Sequence, residues 1–152
     1  MVEVNSSIES KQYIVVKIGN EQYGIDIQYI DNIIRMQRIT RVPKAQNYFK
    51  GVINLRGDIV PVMSLRLRFH LEADEYTNST RIIILKLEPQ YAVGVIVDEV
   101  KEVITISDSL IEKMNTNGVD ENSIYLTGVG KHEDNLISIL NISGVINGKD
   151  TN

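Results

Sequence analysis

The chain has 152 residues, 43% of them hydrophobic and 24% charged, which is the composition of a globular protein and not of a disordered one. Isoleucine and valine number 23 and 16 against three alanines, which excludes a helical bundle, and the absence of cysteine excludes disulfides and thiolate metal sites. The net charge of −4 disfavours nonspecific binding to nucleic acid.

The first elements in chain order are strands. Residues 13–18 are a β-branched run that ends at Gly19-Asn20, and residues 22–27 alternate in hydrophobicity after it, which predicts a hairpin. Residues 29–40 mix helical spacing with β-branched density, which we interpret as a turn entering another strand. A short helical turn is expected over 45–49, because Pro43 precedes it.

The next elements are again hairpins. Residues 51–56 and 58–65 flank Gly57, whose freedom to adopt positive φ suits a tight reversal. Beyond a polar linker at 72–79, residues 81–87 and 91–97 predict a further hairpin. The remaining strands are expected at 101–106, 124–129 and 136–142.

The second half of the sequence repeats the first. Residues 14–18 recur 69 positions later as 83–87, Gly24 recurs at an offset of 70 as Gly94, and Gly51 recurs at an offset of 77 as Gly128. Blocks that recur in one order with slowly drifting offsets indicate a duplicated unit of about five strands.

Five short antiparallel strands on one small core commonly remove their edges by curling. The expected fold is therefore all-β, with two similar five-stranded SH3-like barrels and short helical turns. The lobes are expected at residues 12–71 and 80–147, with possible exchange of strands, and residues 1–11 and 148–152 are expected to be flexible termini.

The sequence contains few residues that could act in catalysis or bind a metal. His70 and His132 stand far apart in predicted loops, and no base, nucleophile or ligand cluster accompanies them. Asp98, Glu99 and Glu102 are interpreted as a solvated face. We therefore expect no catalytic residue, no metal and no cofactor, and a binding protein instead of an enzyme.

Charge is distributed unevenly along the chain. Residues 1–71 hold ten Lys/Arg and six Asp/Glu, a net charge of +4. Residues 72–152 hold six Lys/Arg and fourteen Asp/Glu, a net charge of −8. The split indicates either two lobes with different partners or two solvated surfaces.

An apolar stripe with a spacing of three follows the first hairpin of each repeat. Two interpretations stay open: the stripe is core between the lobes, or part of it lines a groove for a partner helix. The stripe residues are Ile27, Ile30 and Ile33 and, in the second repeat, Val97, Val100 and Val103.

The chain also resembles a known family. The motifs are Val42-Pro43, the run from Gly51 to Gly57 with its Asn-Leu-Arg-Gly end, and the Ile-Val-Pro-Val continuation at 59–62. Val97-Asp98-Glu99-Val100 follows later. Together these motifs resemble the CheW family of chemotaxis coupling proteins over residues 12 to 147.

The resemblance implies a non-enzymatic cytoplasmic scaffold, recruited to membrane receptor arrays without inserting into the membrane. Its implied partners are the regulatory domain of the histidine kinase CheA and the cytoplasmic tip of methyl-accepting chemoreceptors. Ile27, Ile30 and Ile33 would line the receptor-binding groove, with Val100 and Val103 on the opposite wall.

The resemblance assigns two further surfaces. The hairpin of Asn54, Leu55, Arg56 and Gly57 would couple receptor to kinase. A kinase-binding surface is expected at Leu126, Thr127, Gly128 and Val129. Many family members have Glu where this chain has Asn32, so a charged receptor contact at that position is not implied.

Other classes of protein were weighed against this one. A CheW-like regulatory fragment of a kinase, or another small β-barrel interaction module, stays open. A β-barrel enzyme lacks its catalytic set here, and an oligonucleotide-binding barrel is disfavoured by the isoelectric point of 5.2 and the nine aromatic residues.

Overall fold

The computed structural model describes residues 9–89, 91–113 and 124–147. Most of these residues are in β-strands, and they form two compact units. The six-stranded unit consists of the described parts of Met1–Val16, Glu21–Gln28 and Lys101–Asn152. The five-stranded unit consists of Lys17–Asn20 and Tyr29–Val100, apart from Gln90.

The strands of the described residues are, in chain order, β1 (Ser10–Ile18), β2 (Glu21–Asp26), β3 (Ile30–Arg35), β4 (Phe49–Leu55), β5 (Asp58–Ser64), β6 (Arg81–Glu88), β7 (Tyr91–Val97), β8 (Glu99–Ser107), β9 (Ile111–Lys113), β10 (Leu126–His132) and β11 (Asn135–Leu140). The α-helices are α1 (Leu65–Arg68) and α2 (Ile142–Asn147), and 3-10 turns span Ile27–Tyr29 and Asp108–Leu110.

The sheet of the five-stranded unit has the order β3-β6-β7-β5-β4. Its neighbours are antiparallel except β5 and β7, which are parallel. Buried side chains from four of its strands form one core cluster, because alternate residues of each strand point to the same face. The cluster consists of Ile53, Val60, Val62, Ile82, Ile84 and Ile96.

The sheet of the six-stranded unit has the order β8-β1-β2-β11-β10-β9, and its parallel pair is β2 with β11. Its core is again built from the alternate, inward residues of four strands. The cluster consists of Tyr13, Val15, Ile104, Ile106, Ile137 and Ile139.

The strand orders confirm the duplicated unit. The sequence offsets relate β3, β4 and β5 to β8, β10 and β11, and β1 and β2 to β6 and β7. Substituting each strand by its repeat converts the order of one sheet into that of the other, with β9 added. The parallel pairs match as well: Val62 lies opposite Gly94, and Ile139, which repeats Val62, lies opposite Gly24.

Each sheet combines strands from both repeats. The hairpin β1–β2 belongs to the first repeat, yet it lies in the sheet with β8, β10 and β11 of the second repeat. The hairpin β6–β7 lies, in the same way, with β3, β4 and β5 of the first repeat. The compact units therefore run across the repeats, and the five-stranded unit is the more continuous of the two along the chain.

Several local predictions are corrected. The expected helical turn at 45–49 is wrong, because Pro43-Lys44 and Asn47-Tyr48 are turns and β4 already begins at Phe49. The strands expected to end at Leu65 and Ile142 stop earlier, and α1 and α2 begin at those residues. Of the termini expected to be flexible, 1–8 and 148–152 lie outside the described residues.

Candidate partner-binding surfaces

Two residues of the predicted receptor-binding stripe, Ile30 and Ile33, lie on β3. A spacing of three on a regular strand would place them on opposite faces. A register shift between Ile30 and Asn32 changes this, because Ile30 pairs with Leu85 and Ile33 pairs with Ile83. Leu85 and Ile83 are two residues apart and share a face of β6, so this β-bulge brings Ile30 and Ile33 to one face as well.

This shared face is opposite the core cluster of the five-stranded unit, and its β6 residues Ile83 and Leu85 are fully buried. Ile34, the next residue along β3, pairs with the core residue Ile82 and packs against the core cluster. Ile30 and Ile33 are half-buried on the opposite face. They are therefore available, at least in part, to a partner.

The other stripe residues are placed as follows. Ile27 is 36% exposed in the 3-10 turn before β3, and Val103 is 54% exposed on β8. Val103 alternates with the core residue Ile104 and so points to the other face of its strand. Val100, at the start of β8, is half-buried. Val97, by contrast, is fully buried and belongs to the core.

Asn32 has a local structural role at the bulge. Its side-chain oxygen accepts a hydrogen bond from the backbone N–H of Ile33 at 2.9 Å. The neighbouring Asp31 is exposed, and its carboxylate lies 3.6 Å from the Nζ of Lys86. A carboxylate is therefore present on β3, one position before the Asn.

The predicted coupling hairpin is a two-residue turn between β4 and β5. Leu55 pairs directly with Asp58, and the central residues Arg56 and Gly57 have φ of +54° and +89°. Positive φ at both central positions is the type I′ geometry, which matches the twist of the strands. The predicted use of Gly57 is thus confirmed. The Asn54 Oδ1 stabilises the turn by accepting a hydrogen bond from the Gly57 N–H at 3.0 Å.

Arg56 occupies a backbone conformation that favours Gly or Asn. A non-glycine residue with positive φ costs of order 1 kcal/mol, so the local backbone does not explain an arginine there. Its side chain is exposed and makes no ion pair with any residue that the structure describes. The guanidinium is free to contact a partner.

A depression of about 600 Å³ lies beside this hairpin. Ile59, which is 64% exposed, and Tyr91 contribute apolar surface to it. Arg56, Asp58 and Lys86 contribute charges of both signs. Apolar surface mixed with charges of both signs is a usual composition for a protein-binding surface.

The start of β8 is fixed by a polar network, which we call the Asp98 latch. The Arg66 Nε and Nη2 donate to the two carboxylate oxygens of Asp98 at 2.9 and 2.6 Å, and the Gly19 N–H donates to Oδ2 at 2.8 Å. The Asp98 N–H in turn donates to the Lys17 carbonyl at 3.0 Å. The latch holds the chain two residues before Val100.

The latch corrects the interpretation of Asp98 as part of a solvated face. Burial raises the pKa of this carboxyl, but the hydrogen bonds from Arg66 and Gly19 and the positive charge of Arg66 outweigh burial and lower the pKa below its ordinary value. Glu102 is exposed, as a solvated face requires, and Glu99 is half-buried. No local motif marks the latch in the sequence, because Arg66 is 32 residues away from Asp98.

The residues of the predicted kinase-binding surface open β10. Gly128 follows a β-bulge, and a Cβ there would lie 2.6 Å from the carbonyl oxygen of Glu112, so its role is steric. Thr127 is exposed, and Leu126 and Val129 are half-buried. The structure places all four on one strand, and their role in kinase binding stays a prediction.

Three further features of the described residues bear on function: possible metal ligands, the two histidines and the lengths of the helices. No group of three or more metal-ligating side chains occurs among residues 9–89, 91–113 and 124–147. His132 lies 3.4 Å from Glu133 in the turn between β10 and β11, and His70 is exposed after α1. No helix in these ranges is long and apolar enough to cross a membrane.

Comparison with known proteins identifies the family. Residues 12–150 match the model of the CheW-like domain. The chemotaxis protein CheW of Helicobacter pylori is 36% identical over 138 residues, which cover 91% of this chain and 82% of that protein. The chemotaxis protein CheW of Bacillus subtilis is 35% identical over 136 residues, which cover 90% and 86%.

A solved structure agrees with these relatives. The scaffolding protein TtCheW from Thermoanaerobacter tengcongensis superposes with a TM-score of 0.81 at 31% identity, over 93% of this chain and 92% of that one. The match extends over both sheets. The chain therefore belongs to the CheW family.

Proposed function

We propose that this chain is a non-enzymatic scaffold that couples transmembrane chemoreceptors to the histidine kinase CheA. The observation that carries the proposal is the apolar face of β3 that bears the half-buried Ile30 and Ile33, joined to membership of the CheW family. A face of half-buried isoleucines suits an apolar partner helix, because such a helix presents anchors at regular spacing.

The receptor-binding residues in this proposal are Ile27, Ile30, Ile33, Val100 and Val103. Each of them is exposed or half-buried, so each has surface to give to a partner. The receptor tip would bury the apolar side chains that water contacts in the free protein. Burial of such anchors supplies most of the free energy of binding at small interfaces.

The hairpin of Asn54, Leu55, Arg56 and Gly57 is proposed to transmit receptor state to the kinase. Support comes from the exposed Arg56 side chain beside the 600 Å³ depression, because its guanidinium makes no ion pair with any described residue and can contact a partner. Residues 126–129 are proposed to contribute to kinase docking. Because of these proposed partners, we propose that the protein is cytoplasmic and is recruited to receptor arrays at the membrane.

We also propose that each sheet curls into an SH3-like barrel. In a flat six-stranded sheet the edge strands β8 and β9 would lie about 24 Å apart. Only Asp108–Leu110 connect them, and four residue steps reach about 14 Å. In the five-stranded sheet the segment after the edge strand β3 bridges to the opposite edge, at Thr40 and Val52.

The proposed function is tested with purified components. A receptor cytoplasmic fragment and the CheA regulatory domain are each immobilised, and this chain is passed over them alone and together with the other partner. We expect binding to both at once and receptor-dependent stimulation of CheA when all three are mixed. If the chain bound neither partner, or supported no stimulation, the scaffold proposal would be wrong.

A further inference from the structure

A second concave surface of the five-stranded unit is strongly basic. It is a depression of about 390 Å³ on the segment between β3 and the Thr40 bridge, and we call it the basic cleft. Arg38, Arg41 and Lys50 supply three positive charges, and Met36 and Ile39 supply apolar surface. Tyr76 also lines the cleft.

The backbone explains how these cations come together. Thr40 and Val52 exchange both backbone hydrogen bonds at 2.8 Å, which sets residues 38–41 beside 50–52. Gly51 permits this approach, because its φ is +140° and a Cβ there would collide with the Thr40 carbonyl. The cleft is therefore built by the fold and does not depend on flexible side chains meeting by chance.

The charges of the cleft are not neutralised within the described parts of the chain. Arg38, Arg41 and Lys50 form no ion pair with any residue in those ranges. An adjoining depression of about 460 Å³ shares Arg41 and Lys50 and adds Lys44. The four like charges around these two adjoining depressions repel one another, so an anionic partner would relieve the repulsion as well as gain contacts.

We propose that the basic cleft binds an acidic polypeptide segment that carries an apolar side chain. The apolar anchor would pack on Met36 and Ile39, and flanking Asp or Glu residues would meet Arg38, Arg41 and Lys50. Charged groups at a rim steer association, and the buried apolar group supplies affinity.

A polypeptide fits this surface better than an anionic membrane does. The cleft is concave, and a hollow receives a side chain more readily than it meets a flat layer of headgroups. The whole chain also carries −4, so an anionic membrane would repel the rest of the molecule. The corresponding residues of the six-stranded unit are Leu110, Lys113 and Thr127, which supply one positive charge where the cleft has three.

The test uses the full chain and a labelled probe. A fluorescein-labelled dodecapeptide, with leucines set among Asp and Glu, is titrated with the protein and followed by fluorescence anisotropy. A control peptide has Asn and Gln in place of the acids. We expect the acidic peptide to bind about tenfold more tightly than the control, and the difference to shrink as salt rises.

Variants locate the binding. Arg38→Glu with Lys50→Glu should weaken the acidic peptide at least about tenfold, and Met36→Ser should weaken it less. Lys101→Glu with Lys131→Glu makes the same change of charge on exposed lysines of the six-stranded unit and should have little effect. Circular dichroism verifies that each variant is folded.

Three results would overturn the proposal. One is equal binding of the acidic and control peptides, and another is an equal loss in both charge-reversal variants. The third is sedimentation of the protein with vesicles of phosphatidylcholine and phosphatidylglycerol in the absence of peptide binding, which would make the cleft a lipid site. Because no receptor or kinase is present, failure here leaves the proposed scaffold function untouched.

Discussion

The two units share one backbone plan and differ in charge. The described residues of the five-stranded unit include eleven Lys/Arg and eight Asp/Glu, a net of +3, whereas those of the six-stranded unit include four and eight, a net of −4. The strand order and the parallel pairs are the same in both. Duplication has thus kept the pairing of strands and changed the surface that the strands display.

The two hairpin tips show the difference most directly. Glu133 lies at an offset of 77 from Arg56, and both have φ near +55°. Leu136 and Ile59 are related by the same offset and are 67% and 64% exposed. The positive φ at the first turn position and the exposed apolar position are therefore shared, and the charge at that turn position is reversed. The unfavourable positive φ at this turn position occurs in both units, whereas the sign of the charge there differs between them.

The Asp98 latch has no equivalent in the six-stranded unit. The repeats of Asp98 and Arg66 are Gln28 and Ser143, which cannot form an ion pair. Gln28 instead hydrogen-bonds Asp26, two residues away, at 2.9 Å. A long-range contact in one unit is replaced by a local one in the other.

The largest expected effect is a loss of stability that distinguishes Gly51 from its repeat, Gly128. Gly51→Ala should lower the free energy of unfolding by about 3 kcal/mol or more, because it adds a clash with Thr40 to an unfavourable φ. Gly128→Ala has only the steric conflict with Glu112 and should cost less. Urea denaturation of both variants measures the difference, and equal losses would show that φ contributes nothing at Gly51.

The next prediction concerns the face of β3 that bears Ile30 and Ile33. Ile30→Asp should leave the protein folded, because the half-buried carboxylate can stay hydrated, and should weaken receptor binding by about 2 kcal/mol. Binding to CheA should be unchanged. The measurements are a thermal melt and calorimetric titration with the receptor fragment.

The neighbouring residue supplies the control for this variant. Ile34 is also half-buried, but Ile34→Asp places its charge against the core cluster on the other face of β3 and should lower the free energy of unfolding more than Ile30→Asp does. If Ile30→Asp unfolded the protein, Ile30 would be core. If it folded and bound the receptor normally, the receptor surface would lie elsewhere.

A third prediction tests the latch through its pH dependence. The pKa of Asp98 is lowered in the folded protein, so its contribution to stability is present above the ordinary value of 3.8 and is lost as the pH falls through the lowered pKa. Asp98→Asn should therefore cost about 1 kcal/mol at pH 7 and much less near pH 2. Denaturation at a series of pH values measures this.

Asp74 supplies a control of opposite sign. Burial raises its pKa, although Ser64 donates a hydrogen bond to it, so its contribution to stability is present at low pH and is lost as the pH rises through the raised pKa. Asp74→Asn should leave stability at pH 7 unchanged or higher and steepen the loss in acid. A loss for Asp98→Asn that does not vary with pH would mean that the latch is not electrostatic.

The sequence was sufficient for what depends on local pattern. Alternation located most strands, the Asn54–Gly57 run located a tight turn, and the offsets of 69, 70 and 77 revealed the duplication. It could not show which copy of a repeated hairpin pairs with which strands, because both copies carry the same pattern. The sequence left an exchange of strands open, and the structure shows that the exchanged strands are β1–β2 and β6–β7.

The candidate surfaces divide in the same way. The stripe residues Ile30 and Ile33 stood out by their spacing, which suggested a helix, whereas a β-bulge is what places them on one face. A bulge adds one residue and leaves no compositional mark. The basic cleft was also beyond the sequence, because Arg38 and Lys50 are twelve residues apart and meet only through the Thr40 bridge.

The smallest expected effect compares the two hairpin tips. Arg56→Gly and Glu133→Gly should each raise the free energy of unfolding by about 0.5–1 kcal/mol, because glycine adopts positive φ without strain. Arg56→Ala, which keeps the strain and removes the guanidinium, should change stability by less than about 1 kcal/mol.

If Arg56 couples receptor to kinase, both of its variants should lower receptor-stimulated CheA activity. Glu133→Gly should leave that activity unchanged, because the charge it removes stands on the other unit. Chemical denaturation and a reconstituted kinase assay separate the two properties, and normal stimulation by Arg56→Ala would assign the strained arginine no part in coupling.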